Sequence, residues 1–473
     1  MGKFVKIRNP RTGEFDYEVE FIDEQTLRSE VQRLRDNQKW WFGIGVAGRA
    51  KYMVRFQESL GKYKEEIVNA LAIDTGRMRL CHMETEAFQY MTVERSQHAI
   101  EVLQENSGIS TKDPEVSFEQ QLVPYALLGV ISPWNYPFIL SFLDALPALL
   151  AGCAVAIKPS EVTPRFIEPV KKAIAAVPEI AKVLTIFAGD GAIGSQLVEL
   201  ADAVVFTGSV ETGKKVSQQA AKDLKPAFLE LGGKDPAVVL PGADLDAAAD
   251  AIARGGFDNS GQICFSTERV YVHASQYEEF LQKLVDRATT VKLSYPEYKD
   301  GHIGPIIHAP QTEIISKHLE DAKAKGARIL TGGEIENLGG GLWLKPTVIC
   351  DVNHDMLIMQ DETFAPILPV MSYETVEQAI ALANDTRYGL SASVYGDEKE
   401  AVAVARQIDA GGLYVNDMDI VGKVYLEGEK MAFKDSGLGG TRYGPNAFMR
   451  YITTKLVVKR SGKPASVDII AES

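Results

Sequence analysis

Three short segments hold residue types that together can do chemistry on a carbonyl group. Gly261-Gln262-Ile263-Cys264 puts a cysteine in a loop after a helix-period segment, and a thiolate is a strong nucleophile even as a minor species near neutral pH. Glu230 opens the segment Glu230-Leu231-Gly232-Gly233-Lys234-Asp235-Pro236 at the end of an apolar run. A carboxylate beside glycines in a cleft can act as a general base. Asn135 lies in Pro133-Trp134-Asn135-Tyr136-Pro137, inside an otherwise apolar region. Core packing does not ask for an amide there, because a buried amide must find partners, whereas its NH₂ can point at a developing oxyanion. A lone cysteine is by default a small buried hydrophobe; Cys153 is read that way and given no role.

Such groups need rigid elements to hold them. From residue 128 onward, short apolar runs alternate with helix-period segments, the mark of a parallel sheet with crossover helices. Strands are expected at 153–158, 182–188, 203–207 and 226–231, with helices at 139–151, 164–177, 193–200 and 211–223. A second α/β unit follows: helix 244–257, strand 268–273, helix 276–291, strands 328–331, 346–350 and 366–371, helices 375–384 and 398–408, and strand 412–415. No linker separates the units, so they should pack against each other around a ligand cleft. Segments 115–130 and 450–460 read as extended strands outside both sheets. Unpaired edges are avoided, so they are expected to form an oligomerisation arm, or else to pair with each other within one chain.

Bulk properties narrow the class. The 473 residues carry 64 acidic and 50 basic side chains, a net charge of −14, which argues against nucleic acid or an anionic membrane as partner. The four cysteines have neither disulfide nor zinc spacing, which points to no metal and to a reducing compartment, the cytoplasm. The first ten residues have no apolar core of a secretory leader. Residues 138–157 are long enough to span a bilayer, but Asp144, Pro147 and Gly152 interrupt them, and a buried helix running into a buried strand fits better.

Two turns can bind a nucleotide. One G-x-G-x-x-G, Gly43 to Gly48, follows Trp40-Trp41-Phe42 and precedes a long amphipathic segment; without a βαβ unit it is rejected as a fingerprint. Phe206-Thr207-Gly208-Ser209-Val210-Glu211-Thr212-Gly213 is the better candidate, because amides at a helix N-terminus receive a pyrophosphate. Lys158-Pro159-Ser160-Glu161 ends another strand. Lys158 can donate to a ribose hydroxyl, and Glu161 can accept from the 2′-hydroxyl and repel a 2′-phosphate, favouring NAD over NADP.

Taken in order, PWNYP, KPSE, FTGS, ELGGK, GQIC and Glu362-Thr363-Phe364-Ala365-Pro366 resemble the aldehyde dehydrogenase superfamily, from about residue 40 to 460. The resemblance implies a Rossmann-like cofactor domain (1–112 and 128–236), a second α/β catalytic domain (237–436), and a small β arm (113–127 and 450–465) building a homodimer or homotetramer. It implies Cys264 as nucleophile, Asn135 with the Cys264 amide as oxyanion hole, and Glu230 as the base for hydrolysis of a thioester. Trp134, Lys158, Glu161, Gly208, Ser209, Gly213 and Leu231 match cofactor-contacting positions, and Glu362 and Phe364 those placing the nicotinamide ribose and ring. Members that release acyl-CoA tend to lack the glutamate, so Glu230 favours water as acceptor. A CoA-acylating enzyme and a non-catalytic relative keeping the fold are the rival readings.

The match weakens near the C-terminus, where Met431-Ala432-Phe433 replaces a glycine-rich turn and 419–430 is unusual. Tyr136, Leu140 and Leu143 share a helical face and, with Ile263 and Phe265, are expected to line the acyl side. They favour a hydrophobic aliphatic or aromatic aldehyde.

Overall fold

Apolar runs that do not alternate form two largely parallel sheets buried on both faces, as such runs must. The structure is a computed structural model that describes residues 3–103, 106–418 and 420–472. The first sheet has the order Gly437–Leu438, Ala227–Glu230, Ala203–Thr207, Leu127–Ile131, Ala154–Lys158, Leu184–Ile186. Its five longer strands are parallel, and Gly437–Leu438 closes the edge antiparallel to Glu230. The chain runs outward from Leu127–Ile131 in one direction and returns to its other side at Ala203–Thr207. The carboxyl ends of these two neighbours therefore flank a topological switch point, where open sheets bind ligands.

The second sheet runs Arg328–Thr331, Thr347–Cys350, Ile367–Tyr373, Thr267–His273, Asp235–Val239, Ser391–Tyr395, Gly412–Val415, with only the first strand antiparallel to its neighbour. Asp235–Val239 and Ser391–Tyr395 are additional to the expected strands. Each mixes polar residues into a fully buried run, which conceals it from a hydropathy reading. Pro236 is tolerated because it stands near the strand start.

The extended segment 115–130 divides in two, a correction to its reading as one strand. Val116–Pro124 pairs antiparallel with Ile452–Arg460, from Ile452 opposite Pro124 to Arg460 opposite Val116, and Asn106–Ser110 adds a third strand. The pairing lies within one chain. Leu127–Ile131 instead enters the first sheet, since all five of its residues are apolar or glycine and buried. Gly43 to Gly48 lies at the junction of helices Glu24–Gly43 and Gly45–Lys62, with Gly45 at φ +72°, so no strand precedes it. Residues 138–157 form helix Pro137–Ala151 and strand Ala154–Lys158, and none of the described helices is long and apolar enough to cross a membrane.

Candidate active site

Four strand ends and one loop meet at the switch point. Helix Pro137–Ala151 starts on Pro137, whose missing N–H is no loss in a first turn. The next two amides, of Phe138 and Ile139, both donate to Glu84 Oε2 at 3.0 Å. This fixes Trp134 and Asn135 just ahead of the helix. Ser209 caps helix Val210–Lys222 by accepting from the Thr212 amide, which places Gly208 at a helix N-terminus.

The cysteine loop is held by backbone conformation and by one glutamine. Asn259, Ser260 and Gly261 have φ of 51°, 56° and 66°, a left-handed run that persists only where its surroundings enforce it. Gln262, fully buried, donates to the carbonyls of Asn259 (3.0 Å) and Pro305 (3.2 Å), while its Oε1 accepts from the Ile307 amide at 2.9 Å. Its own carbonyl accepts from Asn135 Nδ2 at 3.0 Å and Asn259 Nδ2 at 2.9 Å. The Asn135 amide is thus tied to the chain two residues before Cys264.

Cys264 opens onto a cavity of about 190 Å³ lined by Trp134, Asn135, Leu140, Gly208, Ser209, Glu230, Leu231, Gly232, Glu362 and Phe364, with Gln311 and Ile314 from helix Gln311–Ala324. Burial pushes the Cys264 thiol up to about 12; the Lys430 charge is the main opposing influence, with Asp235 raising and Arg442 lowering it. A larger cavity of about 490 Å³, lined by Arg77, Asp258 and His302 among others, lies behind the loop and does not include Cys264.

The wall that carries Glu362 and Phe364 is set by a buried ion pair. Lys234 Nζ lies 2.6 Å from Glu268 Oε2 and 3.1 Å from Thr363 Oγ1. The two Glu268 oxygens accept from the amides of Thr363 and Phe364, each at 2.8 Å. Phe364 has φ 56°, so this clamp holds a strained residue whose ring meets Trp134 edge-on at 5.4 Å. Glu362 accepts from the Gly233 amide at 3.2 Å, and burial, followed by the nearby Glu268 charge, raises its carboxyl above the ordinary range.

Glu230 has different neighbours. Its Oε1 lies 3.6 Å from Arg450 Nη1 and 3.8 Å from Arg442 Nε. Behind them, fully buried Asp144 pairs with Arg442, approaches Arg450 Nη1 at 3.6 Å, and accepts from the Tyr451 hydroxyl at 2.8 Å. Burial pushes the Asp144 carboxyl up, but the two arginines and Tyr451 outweigh it and hold it below the ordinary range.

The surroundings fit a dinucleotide. A Cβ at Gly208 would meet the Phe206 ring at 2.6 Å, and one at Gly232 would meet the Glu362 carboxylate at 2.4 Å, so the glycines keep a narrow slot open beside Cys264. The helix N-terminus at Ser209 can take a phosphate. Lys158 Nζ and Glu161 Oε2, 3.2 Å apart, can together take ribose hydroxyls.

The structure therefore gathers Cys264, Glu230, Asn135, Trp134, Leu140, Gly208, Ser209, Leu231, Glu362 and Phe364 around one cavity. Gly213 does not face it; a Cβ there would strike Leu231 at 2.4 Å, so its role is close packing of the helix. Tyr136 lies under the Arg77 guanidinium at 4.2 Å and is not in the cavity. Ile263 is buried and Phe265 half-buried beside Cys264, and neither lines the cavity. Leu143 packs with Met91 and Tyr425, and Leu140 and Tyr443 border that cluster. Sequence reasoning missed Glu268, Arg442, Arg450 and Lys430. Asp144 was visible as a lone charge in an apolar run. Of the atypical segment 419–433, Asp419 lies outside the described residues, while Lys430 places its ammonium 5.4 Å from the Tyr443 ring centroid.

Comparison with known proteins shows which family the chain resembles in sequence and fold. The model of the aldehyde dehydrogenase family matches residues 2–457. A Mycolicibacterium smegmatis protein named as a succinate-semialdehyde dehydrogenase using NADP⁺ is 34% identical over 437 residues, 92% of this chain and 84% of its own length. The peroxisomal aminoaldehyde dehydrogenase 1 of Malus domestica is 33% identical, over 88% of this chain and 85% of its own. A structure named as the aldehyde dehydrogenase PutA of Anabaena variabilis superposes with a TM-score of 0.96 at 45% identity, covering 98% of this chain and 99% of that one. Betaine aldehyde dehydrogenase of Staphylococcus aureus in complex with NAD⁺ superposes with a TM-score of 0.92 at 27% identity, covering 99% and 94%.

Proposed function

Because the chain belongs to the aldehyde dehydrogenase family, and is thereby an oxidoreductase acting on aldehydes with an NAD(P)-class cofactor, we propose that it oxidises an aldehyde to the free acid with NAD through a thioester on Cys264. The observation that carries this reading is the meeting of Cys264, Asn135 and Glu230 at one cavity that also takes in Gly208 and Ser209 at the start of helix Val210–Lys222.

The Cys264 sulfur bonds to the aldehyde carbon, and the carbonyl oxygen takes up negative charge. The Asn135 amide, already aimed at the loop, donates to that oxyanion. NAD, when bound along Trp134, Lys158, Glu161, Gly208, Ser209, Glu362 and Phe364, supplies the acceptor for the hydride that leaves this carbon. Glu230 then takes a proton from water, whose oxygen bonds to the thioester carbon as the carbon–sulfur bond breaks. Aldehyde, NAD⁺ and water give acid, NADH and a proton, and the thiol is restored.

In this reading residues 1–112 and 128–236 bind the cofactor, 237–436 carry the chemistry, and 113–127 with 450–465 form an arm that builds a homodimer or homotetramer; the exposed Leu456 and Val458 on that arm support it. All four cysteines are free, which supports a reducing compartment such as the cytoplasm. Leu140 lines the cavity and packs against the apolar cluster of Leu143, Met91 and Tyr425, which favours a hydrophobic aliphatic or aromatic aldehyde. Lys430 beside Tyr443 disfavours cationic aldehydes of the kind the aminoaldehyde and betaine aldehyde relatives are named for. Glu161 near the ribose end favours NAD, against the NADP⁺ of the mycobacterial relative's name. Glu230 favours water over CoA.

The test is NADH formation across aliphatic, aromatic, cationic and anionic aldehydes, with NAD or NADP, with and without CoA. Turnover with NAD in the absence of CoA supports the reading, and Cys264→Ala should abolish it while NAD still binds. A strict requirement for CoA would overturn it.

A further inference from the structure

Arg450 is the least satisfied large polar side chain in the interior. It is almost fully buried, yet Nε, Nη1 and Nη2 all lack a hydrogen-bond partner among the described residues, as does Arg442 Nε. Leaving a buried donor unpaired is costly, more so for a charged group. Its guanidinium stacks on the Phe228 ring at 4.8 Å, two residues before Glu230 on the same strand. The Nη1 edge then faces Glu230 Oε1 at 3.6 Å.

Charge counting leads to the same carboxylate. Among the described residues Arg442 and Arg450 share only Asp144 as a fully buried counter-ion, so the trio alone leaves one positive charge in the interior. Arg95, a layer further out, donates to the Tyr425 hydroxyl at 3.2 Å and the Gly444 carbonyl at 2.9 Å and brings no carboxylate. Besides Asp144, Glu230 is the one acidic group among the described residues within 4 Å of both guanidiniums, and adding it gives a neutral quartet.

The distances, 3.6 and 3.8 Å, fall short of hydrogen bonds to these nitrogens. A carboxylate held by charge at this range, without a forked hydrogen bond, is restrained while free to swing. Building on the proposed function, we infer that Arg450, with Arg442 and Asp144 behind it, is the positioning residue that docks the Glu230 carboxylate between turnovers and returns it to reach for water when the Cys264 thioester must be cleared. Arg450 acts through Glu230 and touches no reacting atom.

The experiment uses the full-length enzyme and its best aldehyde. Glu230→Gln, Arg450→Met and Arg450→Lys are compared by stopped-flow NADH formation, steady-state turnover and intact mass after an acid quench. Arg450→Met should keep a full burst, lose at least tenfold in steady-state turnover, and accumulate acyl-enzyme on Cys264 as Glu230→Gln does. Arg450→Lys, which keeps the charge, should recover part of the loss. In the Glu230→Gln background Arg450→Met should cost nothing further. A purely structural arginine would lower burst and steady state together, without accumulating acyl-enzyme, and would add its loss in the double variant; either result overturns the inference. If Arg450→Met does not fold, Arg450→Lys carries the same burst-to-turnover comparison. Were Glu230→Gln itself to turn over normally, the base assignment would fail; a stalled Glu230→Gln beside an unaffected Arg450→Met would sink only the docking role.

Discussion

Two carboxylates line the same cavity, and the chain surrounds them with opposite charges. Glu230 looks onto two buried guanidiniums. Glu362 looks onto the glutamate of a buried pair, and burial and that like charge raise its carboxyl above the ordinary range. Glu230 ends strand Ala227–Glu230 and Glu362 lies in the loop after helix Leu357–Gln360, and as two glutamates their own identity does not assign their roles. What separates them lies one layer back: Asp144 with two arginines on one side, Lys234 with Glu268 on the other. Environment divides the work between two like groups: on the proposed reading, Glu230 handles a proton and Glu362 holds a ligand.

The comparison is broken most directly at Glu230. Glu230→Gln keeps the shape and removes the proposed base, and steady-state turnover should fall about 10²- to 10⁴-fold, the usual worth of a positioned general base. The NADH burst should survive. A uniform loss of burst and turnover would mean that the two walls do not divide the reaction as proposed.

The wall that carries Glu362 is next. Glu268→Gln strands Lys234, fully buried at 2.6 Å from its partner, without a counter-charge. Breaking such a pair costs on the order of 3–5 kcal/mol, and the amides of Thr363 and Phe364 lose their charged acceptor. Chemical denaturation should show the drop, and NAD binding should weaken because Phe364 is no longer held. A variant as stable as the parent would mean that the clamp does not hold this wall.

The reach of sequence reading follows the same division. Strand ends bearing glycine and one polar residue were legible, because a parallel sheet gathers its carboxyl ends along one edge; Glu230, Gly208 and Lys158 were placed on that ground. The nucleophile and Asn135 came from their motifs. The supporting charges were not legible. Arg450 is 186 residues after Cys264 in the chain and reads as the first, basic residue of the arm strand, and Glu268 reads as an ordinary charge at a strand start. Their importance comes from burial and partners, which no local pattern encodes. Leu127–Ile131, the strand at the switch point, was merged into the arm because Pro124-Tyr125 gives little sign that the chain changes sheets there. Tyr136 shows the converse error: the helical face is carried one residue too far, to a cap residue that precedes helix Pro137–Ala151 and that Arg77 already covers.

A smaller effect sharpens the contrast at Glu362 itself. Glu362→Gln resembles the protonated acid, so it should cost only about 1 kcal/mol of NAD binding, one ordinary hydrogen bond. The pH dependence tells more. With a raised carboxyl, the folded chain keeps this proton where an unfolded glutamate has lost it. The stability it contributes is therefore present below the unfolded value of about 4.3 and is lost as pH rises through the folded value. The Gln variant lacks this loss, so its stability relative to the parent should climb with pH above about 4.3. A flat difference would place Glu362 in the ordinary range and dissolve the contrast with Glu230.

The smallest expected effect concerns a third carboxylate, at the far end of the same slot. Glu161 pairs with nearly buried Lys158 at 3.2 Å and is itself half exposed. A solvent-screened pair of this kind is worth little in stability, with a median near 0–1 kcal/mol, so Glu161→Gln should melt close to the parent. Its effect should appear in cofactor choice alone. Removing the negative charge takes away the repulsion of a 2′-phosphate and leaves Lys158 free to attract one. The ratio of kcat/KM for NADP to that for NAD should rise several-fold, mainly through better use of NADP. Glu230 and Glu362 would then act through buried partners, and Glu161 through its bare charge at an open mouth. If the parent enzyme already preferred NADP, as the name of its mycobacterial relative does, the Lys158–Glu161 pair would not be reading the ribose, and the discriminating group would have to be sought elsewhere along the helix that begins at Val210.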